Sequence, residues 1–322
     1  MTFRHHLTAA RLRLFARHIG ASKRPIILGP WRSEVGFEVL YWLPFLAQLR
    51  KTYHWDKSRL VAFSRGGAAA WYDAIGTADL YDYVPIETVR LHTLAAQQRQ
   101  SSTKQFSPEP WERHAALLAA DSLGLSNPII FHPWWMYRLL EPAWLDQMPM
   151  RQLSTWIDPQ PIPPLPLPAG LTLPERFVAV RLYSRPTMEP QEPVLLYLRQ
   201  MIARLAKKQP VVFLTSDERY DDHADMIRPS GANQADLGAF LTPTTNLAVQ
   251  AAVIQRASLF LGTYGGLSQL AMRLKVPTVA CYTSWHHTAY LHLDLTQRFA
   301  LTTKTPFHLI HVADTEKLAQ LL

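Results

Sequence analysis

The stretch Leu259 to Tyr282, LFLGTYGGLSQLAMRLKVPTVACY, decides the reading of the fold. Leu259 to Gly262 is a short apolar run that reads as a buried strand, Thr263 to Gly266 is a glycine loop, a helix begins near Leu267, and Thr278 to Tyr282 is a second buried strand. In sheets of this kind ligands sit at the carboxyl ends of strands, where a helix start offers unpaired amides and a partial positive charge to a phosphate. Gly265 and Gly266 allow the backbone to approach closely, and Thr263, Tyr264 and Ser268 bring side chains to the same place. No Lys-Ser or Lys-Thr pair follows, so the loop is not a Walker loop, and its spacing is not the dinucleotide fingerprint. Spacing alone leaves two readings open, a phosphate seat and a plain tight turn.

The same alternation extends outward along the chain. Phe177 to Leu182 and Val211 to Thr215 read as strands, and Val194 to Lys208 and Asn246 to Ala257 as helices. Nearer the start, Pro25 to Gly29, Leu60 to Phe63 and Pro128 to Phe131 are further apolar strands, and Val35 to Arg50 has helical spacing that Pro44 should kink or restart. Leu94 to Pro110 is polar and fits a mobile loop or insertion. Strands alternating with helices imply an α/β class with mostly parallel sheets.

With 322 residues, two domains are expected. The break falls at Asp158 to Pro174, DPQPIPPLPLPAGLTLP, whose seven prolines favour extended, semi-rigid chain. The expected organisation is a Rossmann-like domain over residues 1–160 with a basic leader, a linker over 161–174, and a second doubly wound domain over 175–322 whose last helix packs back on the first. A cleft between the two domains is expected.

The formal charge of +8 is concentrated at one end: Arg4, Arg11, Arg13, Arg17, Lys23 and Arg24 stand in the first 24 residues with no acid among them. That distribution argues against nucleic acid, which calls for charge spread along a face. Interspersed Phe3, Leu7, Leu12, Leu14, Phe15 and Ile19 make this leader either a candidate for peripheral contact with an anionic membrane or a helix packed on the body. No apolar run of membrane-spanning length interrupts the chain, so the expectation is a cytoplasmic protein, with the inner face of the membrane as the place of any contact. The lone Cys281 excludes an internal disulfide framework and a cysteine-rich metal site.

The run LGTYGGLSQLAMRLKVPTVACY resembles the C-terminal donor-site motif of GT-B glycosyltransferases, particularly bacterial polysaccharide and capsule-cluster enzymes. GPWRSEVGFEVLYWLPFL, from Gly29, resembles the opening segment of glycosyltransferase-like proteins from such clusters, and VAVRLYSRP and SDERYDDH add shorter matches. The resemblance implies a GT-B-like pair of domains and transfer of a sugar from a nucleotide-sugar donor to a saccharide or lipid-linked acceptor. Inverting, metal-independent chemistry with no cofactor is the form it suggests.

On that reading, an acceptor hydroxyl needs a base, and Glu34 is the first candidate, with Glu38 second. Each has a plainer alternative: Glu34 as a helix-start acid, and Glu38 as solvated or paired to Arg32. Arg181 and Arg185 would stabilise the diphosphate. Ser216, Asp222 and His223 would reach the donor from the strand end before them. Trp31, Arg32, Arg65, Gly66 and Trp134 are the candidate acceptor contacts, since nine of ten tryptophans precede residue 157 and a subset would stack on sugar rings. Metal is not expected: the acids Asp217, Asp221 and Asp222 lack the short acid-any-acid motif, and the adjacent His286 and His287 point apart on a strand. Two other functions remain open, a nucleotide-sugar epimerase or hydrolase of the same fold and a non-catalytic carbohydrate-binding protein.

Overall fold

A computed structural model describes residues 3–73, 75, 104–215, 224–284 and 290–313. The chain divides into two compact units, one of residues 1–163 with 243–247, the other of 164–242 with 248–322. The division at Pro163 falls inside the proline-rich stretch. That stretch is not loose spacer: the Leu165 amide donates to Gln255 Oε1 at 2.8 Å, and the Leu165 side chain is buried.

In the first unit three parallel strands, β1 (Ile26–Leu28), β2 (Leu60–Ala62) and β3 (Ile129–Phe131), lie in the order β2-β1-β3. Each is a run of apolar residues too short to cross more than the middle of the sheet, and β1 is buried throughout. One face is covered by the helix Pro110–Ser122, whose Ala115, Ala116, Ala119 and Ala120 pack on Ile27, Val61 and Phe63. Small residues at this spacing let helix and sheet approach closely. After β1 the chain makes one α turn, Val35–Phe37, five residues of π-helix, Glu38–Trp42, and then the α-helix Leu43–Tyr53, with Pro44 in its first turn. Pro44 has no N–H to return to a preceding carbonyl, so the helix widens before it and restarts there.

The second unit is built on a six-stranded parallel sheet in the order β11-β10-β9-β4-β6-β8, made of β4 (Val178–Arg181), β6 (Val211–Phe213), β8 (Gln234–Asp236), β9 (Leu259–Thr263), β10 (Thr278–Tyr282) and β11 (Phe307–His311). Two short strands, β5 (Tyr183–Ser184) and β7 (Ala224–Asp225), form an antiparallel ribbon beside it. From β4 the chain winds outward through β6 and β8, then returns to β9 on the other side and winds through β10 and β11. Winding therefore reverses between β4 and β9, which makes their carboxyl ends the switch point of the sheet. The edge strands β8 and β11 were not expected; each has one neighbour and exposed residues, and neither carries a continuous apolar run.

Among the described residues no helix is long and apolar enough to cross a membrane.

Candidate functional site

The switch point brings together the end of β4 and the glycine loop that follows β9, with Arg181 opposite Gly262 in the register. Thr263 fastens the two ends. Its hydroxyl accepts from the Tyr183 amide and donates to the Tyr183 carbonyl, both at 2.9 Å, and the side chain is fully buried. Ser268 is used in the same way: its hydroxyl accepts from the Gly265 amide at 3.0 Å and donates to the Gly265 carbonyl at 2.8 Å. Both hydroxyls, expected to face a phosphate, are committed to the backbone and shape the loop instead.

Gly265 has extended geometry that any residue adopts, so its backbone does not require glycine. Space does. A Cβ there would collide with Arg185 Nη1 and lie 2.6 Å from the Tyr183 hydroxyl. The Arg185 guanidinium is thus laid across the entry to the helix Gly266–Arg273, whose first-turn amides have no intrahelical acceptor. Its Nε is buried without a hydrogen-bond partner. Tyr264 is buried beside it; burial pushes its hydroxyl up to about 12, against the opposing pulls of Gln269 and Arg185, so it remains protonated at neutral pH.

Of the two expected phosphate arginines, Arg181 is held by neighbouring side chains. Its Nε donates to Asp225 at 3.1 Å and its Nη1 to Gln250 at 2.6 Å, which makes it a brace between β4, β7 and the helix Asn246–Arg256. The cation over the loop is Arg185. Sequence reasoning missed Thr187, in the tight turn where Arg185 and Met188 exchange backbone hydrogen bonds. Its carbonyl accepts from the Thr283 amide at the end of β10, and its hydroxyl is buried without a partner. A threonine in a proline-flanked turn carries no signal in the sequence.

In the first unit the chain also winds to both sides of β1, and the expected acceptor residues follow the ends of its three strands, Trp31 and Arg32 after β1, Arg65 and Gly66 after β2, and Trp134 after β3. Gly29 has a φ of 139°, open to glycine, and lets the Trp31 amide reach the Phe63 carbonyl at 2.7 Å. Trp31 itself is fully buried, stacked on Trp42 at 5.6 Å and Tyr137 at 6.1 Å. With both faces covered it serves the core, not a sugar ring. Arg32 is buried too. It pairs with Glu112 rather than with Glu38, and its guanidinium stands 3.9 Å over the Trp111 ring.

Glu112 is the hub of that region, placed by a reciprocal cap at the start of its helix. Its Oε1 accepts from Arg32 and from Gln105 Nε2, and its Oε2 from His132 Nε2 at 3.0 Å and the Glu109 amide. The Trp134 amide donates to His132 Nδ1 at 3.0 Å, so the ring proton lies on Nε2, toward Glu112. Trp134 stays half-buried, edge-on to Trp135.

Glu38 is fully buried at the start of the π-helix. It accepts from Ser64 Oγ and Tyr72 OH, each at 2.6 Å, and from Arg65 Nη1 at 2.8 Å. Burial raises its carboxyl above the ordinary value in spite of Arg65, Ser64 and Tyr72. Enclosed in this way, neither Glu38 nor Arg65 faces an incoming substrate, and together they tie the loops after β1 and β2. Gly66 follows with a φ of 59°. Glu34 alone of the two acids is exposed, at the N-cap of the turn Val35–Phe37, with no side-chain cap bond of its own.

Ser216, Asp222 and His223, with Asp217, Asp221, His286 and His287, lie outside the described residues. Among the described residues no cluster of three or more His, Cys, Asp or Glu is placed to hold a metal.

Fold and site together define a two-unit parallel α/β chain with an arginine laid over a glycine-opened helix start at a sheet switch point. No family model and no curated protein matches the chain in sequence. Some solved structures are similar to it over most of its length. A glycosyl transferase family 9 protein from Veillonella parvula is 12% identical, with 93% of this chain and 89% of that one covered and a TM-score of 0.45. The E. coli ADP-heptose LPS heptosyltransferase II is 13% identical, covering 87% and 99%, at 0.41. The iron-containing dodecameric glycosyltransferase TibC from enterotoxigenic E. coli is 13% identical over 80% of this chain, at 0.36, and the chain spans 58% of its length.

Proposed function

We propose that this protein is a glycosyltransferase that takes its sugar from a nucleotide-sugar donor, holds the donor diphosphate at the switch point of the second unit, and delivers the sugar to a saccharide or lipid-linked saccharide. The observation that carries the reading is Arg185 over Gly265. A diphosphate needs positive charge and amide donors at one place, and the guanidinium and the first turn of Gly266–Arg273 supply both. The buried Thr187 hydroxyl adds a donor in the adjoining turn. The resemblance of residues 261–282 to a donor-site motif supports the same assignment.

As the glycosidic bond to the donor breaks, negative charge accumulates on the diphosphate, and a fixed arginine stabilises that charge without a metal. Glu34 takes the proton of the acceptor hydroxyl, in keeping with its exposure and its place after β1, and the reaction inverts the anomeric centre. Calorimetry with nucleoside diphosphates tests the donor half: wild type binds one of them, and Arg185→Ala weakens it by roughly tenfold to a hundredfold, the range of a charge-assisted hydrogen bond. Binding of no nucleotide rejects the donor site and favours a carbohydrate-binding protein. Glu34→Gln is expected to abolish transfer with nucleotide affinity near normal; full transfer by that variant removes Glu34 from the role. Turnover of donor without any acceptor points to an epimerase or hydrolase.

A further inference from the structure

We infer that the outward face of the N-terminal helix docks the protein on an anionic lipid bilayer. The helix Phe3–Ala21 is held rigidly by its inner side. His5, Ala9, Leu12, Ala16 and Ile19 are buried, the Ala16 carbonyl accepts from Trp55 Nε1 at 2.9 Å, and Phe15 stacks on Trp135 at 5.5 Å. Spacing of four, three and four residues places Leu7, Arg11, Leu14 and His18 in one ridge on the opposite side. All four are exposed, and Leu14 keeps 66% of its surface in water. Arg17, also exposed, stands beside the ridge, while Arg13 lies over the Trp156 ring at 5.2 Å.

Composition selects the occupant. The helix has no acid among its residues, so every full charge it carries is positive and complementary to a negative surface. A nucleic acid would be matched by the arginines alone and has no use for leucines. A bilayer uses both: two leucines two turns apart, about 10 Å along the axis, reach the headgroup and acyl boundary while the arginines meet phosphates. Since the inner side is packed, the helix lies on the surface and carries its unit with it. This docking does not depend on the proposed transfer activity, and either can fail without the other.

Co-sedimentation of the full chain with phosphatidylcholine vesicles, with and without phosphatidylglycerol, tests it. Wild type is expected to partition onto the anionic vesicles only. Arg11→Ser/Arg17→Ser should lower the partition coefficient about 25-fold, taking about fivefold for each basic residue near such a surface. Leu7→Ser/Leu14→Ser should also weaken it, and Arg11→Lys/Arg17→Lys should retain it. These positions are exposed, so circular dichroism and Tm should stay at wild-type values, and a variant that loses them is replaced by its single-site counterpart. No partition of wild type onto anionic vesicles overturns the inference. So does a loss confined to the arginine variant, which indicates a polyanionic partner without a bilayer.

Discussion

Arg185 lies across Gly265 so closely that no side chain fits between them: a Cβ on Gly265 would run into the guanidinium and stand 2.6 Å from the Tyr183 hydroxyl. The glycine is there for the arginine. Gly265→Ala should therefore displace the end of Arg185 and press on the buried Tyr183 ring, with some loss of stability beside the loss of affinity. Nucleoside diphosphate affinity should fall by at least about tenfold, the value of one charge-assisted hydrogen bond. Calorimetry and a thermal melt on the same sample check it. Unchanged affinity would mean that Arg185 does not touch the nucleotide.

The two tryptophan candidates for sugar stacking are expected to separate cleanly. Trp31 is closed in between Trp42 and Tyr137, so Trp31→Ala should destabilise the protein by about 3–5 kcal/mol, the usual cost of emptying an aromatic site. Trp134 is half-buried, and Trp134→Ala should cost far less stability while raising the KM for acceptor. Urea denaturation with steady-state kinetics distinguishes the two; a Trp31→Ala protein of wild-type stability would refute the core assignment.

How much of this the sequence disclosed depends on the range of the interaction. The strands β1, β4, β9 and β10 were legible because each is a continuous apolar run bounded by turn residues, and the glycine loop was legible because its residues are adjacent. What the loop's hydroxyls do was not. Whether Thr263 turns to a ligand or to the backbone depends on Tyr183, 80 positions away, and the strand pairing that joins them is settled only by tertiary structure. Arg32 and Glu112 are likewise 80 positions apart, so local sequence offers Glu38 as a partner for Arg32 while the folded chain supplies Glu112. Edge strands escaped for a different reason: β8 and β11 are half in water and show no buried pattern to read.

Glu38 gives the protein a definite acid-range behaviour. Burial raises its carboxyl in the folded state, so between the unfolded and folded values the native protein binds the extra proton. The contribution to stability is present in full below the unfolded value and is lost as pH rises through the folded one. Wild type measured against Glu38→Gln, which does not titrate, should lose relative stability on going from about pH 4 toward neutrality. Glu38→Ala should cost about 3–5 kcal/mol near neutral pH, since it strands Arg65 as a buried cation. Urea midpoints over the pH range provide the readout, and a difference that grows with pH would reverse the assigned direction.

Thr263 offers the sharpest test of the switch point itself. Its hydroxyl serves as acceptor and donor to one residue, Tyr183, and so holds the end of β9 to the start of β5. Thr263→Val keeps the shape and removes both bonds, leaving the Tyr183 amide and carbonyl buried without that partner, at a cost of about 1–3 kcal/mol. Because Arg185 and the glycine loop are mounted on those same two strand ends, nucleotide affinity should fall together with stability. Thr263→Ser restores the hydroxyl and should recover both to near wild type. If Thr263→Val lost affinity at full stability, the hydroxyl would be a ligand contact after all, and the backbone latch would be the wrong account of why a threonine stands at the end of β9.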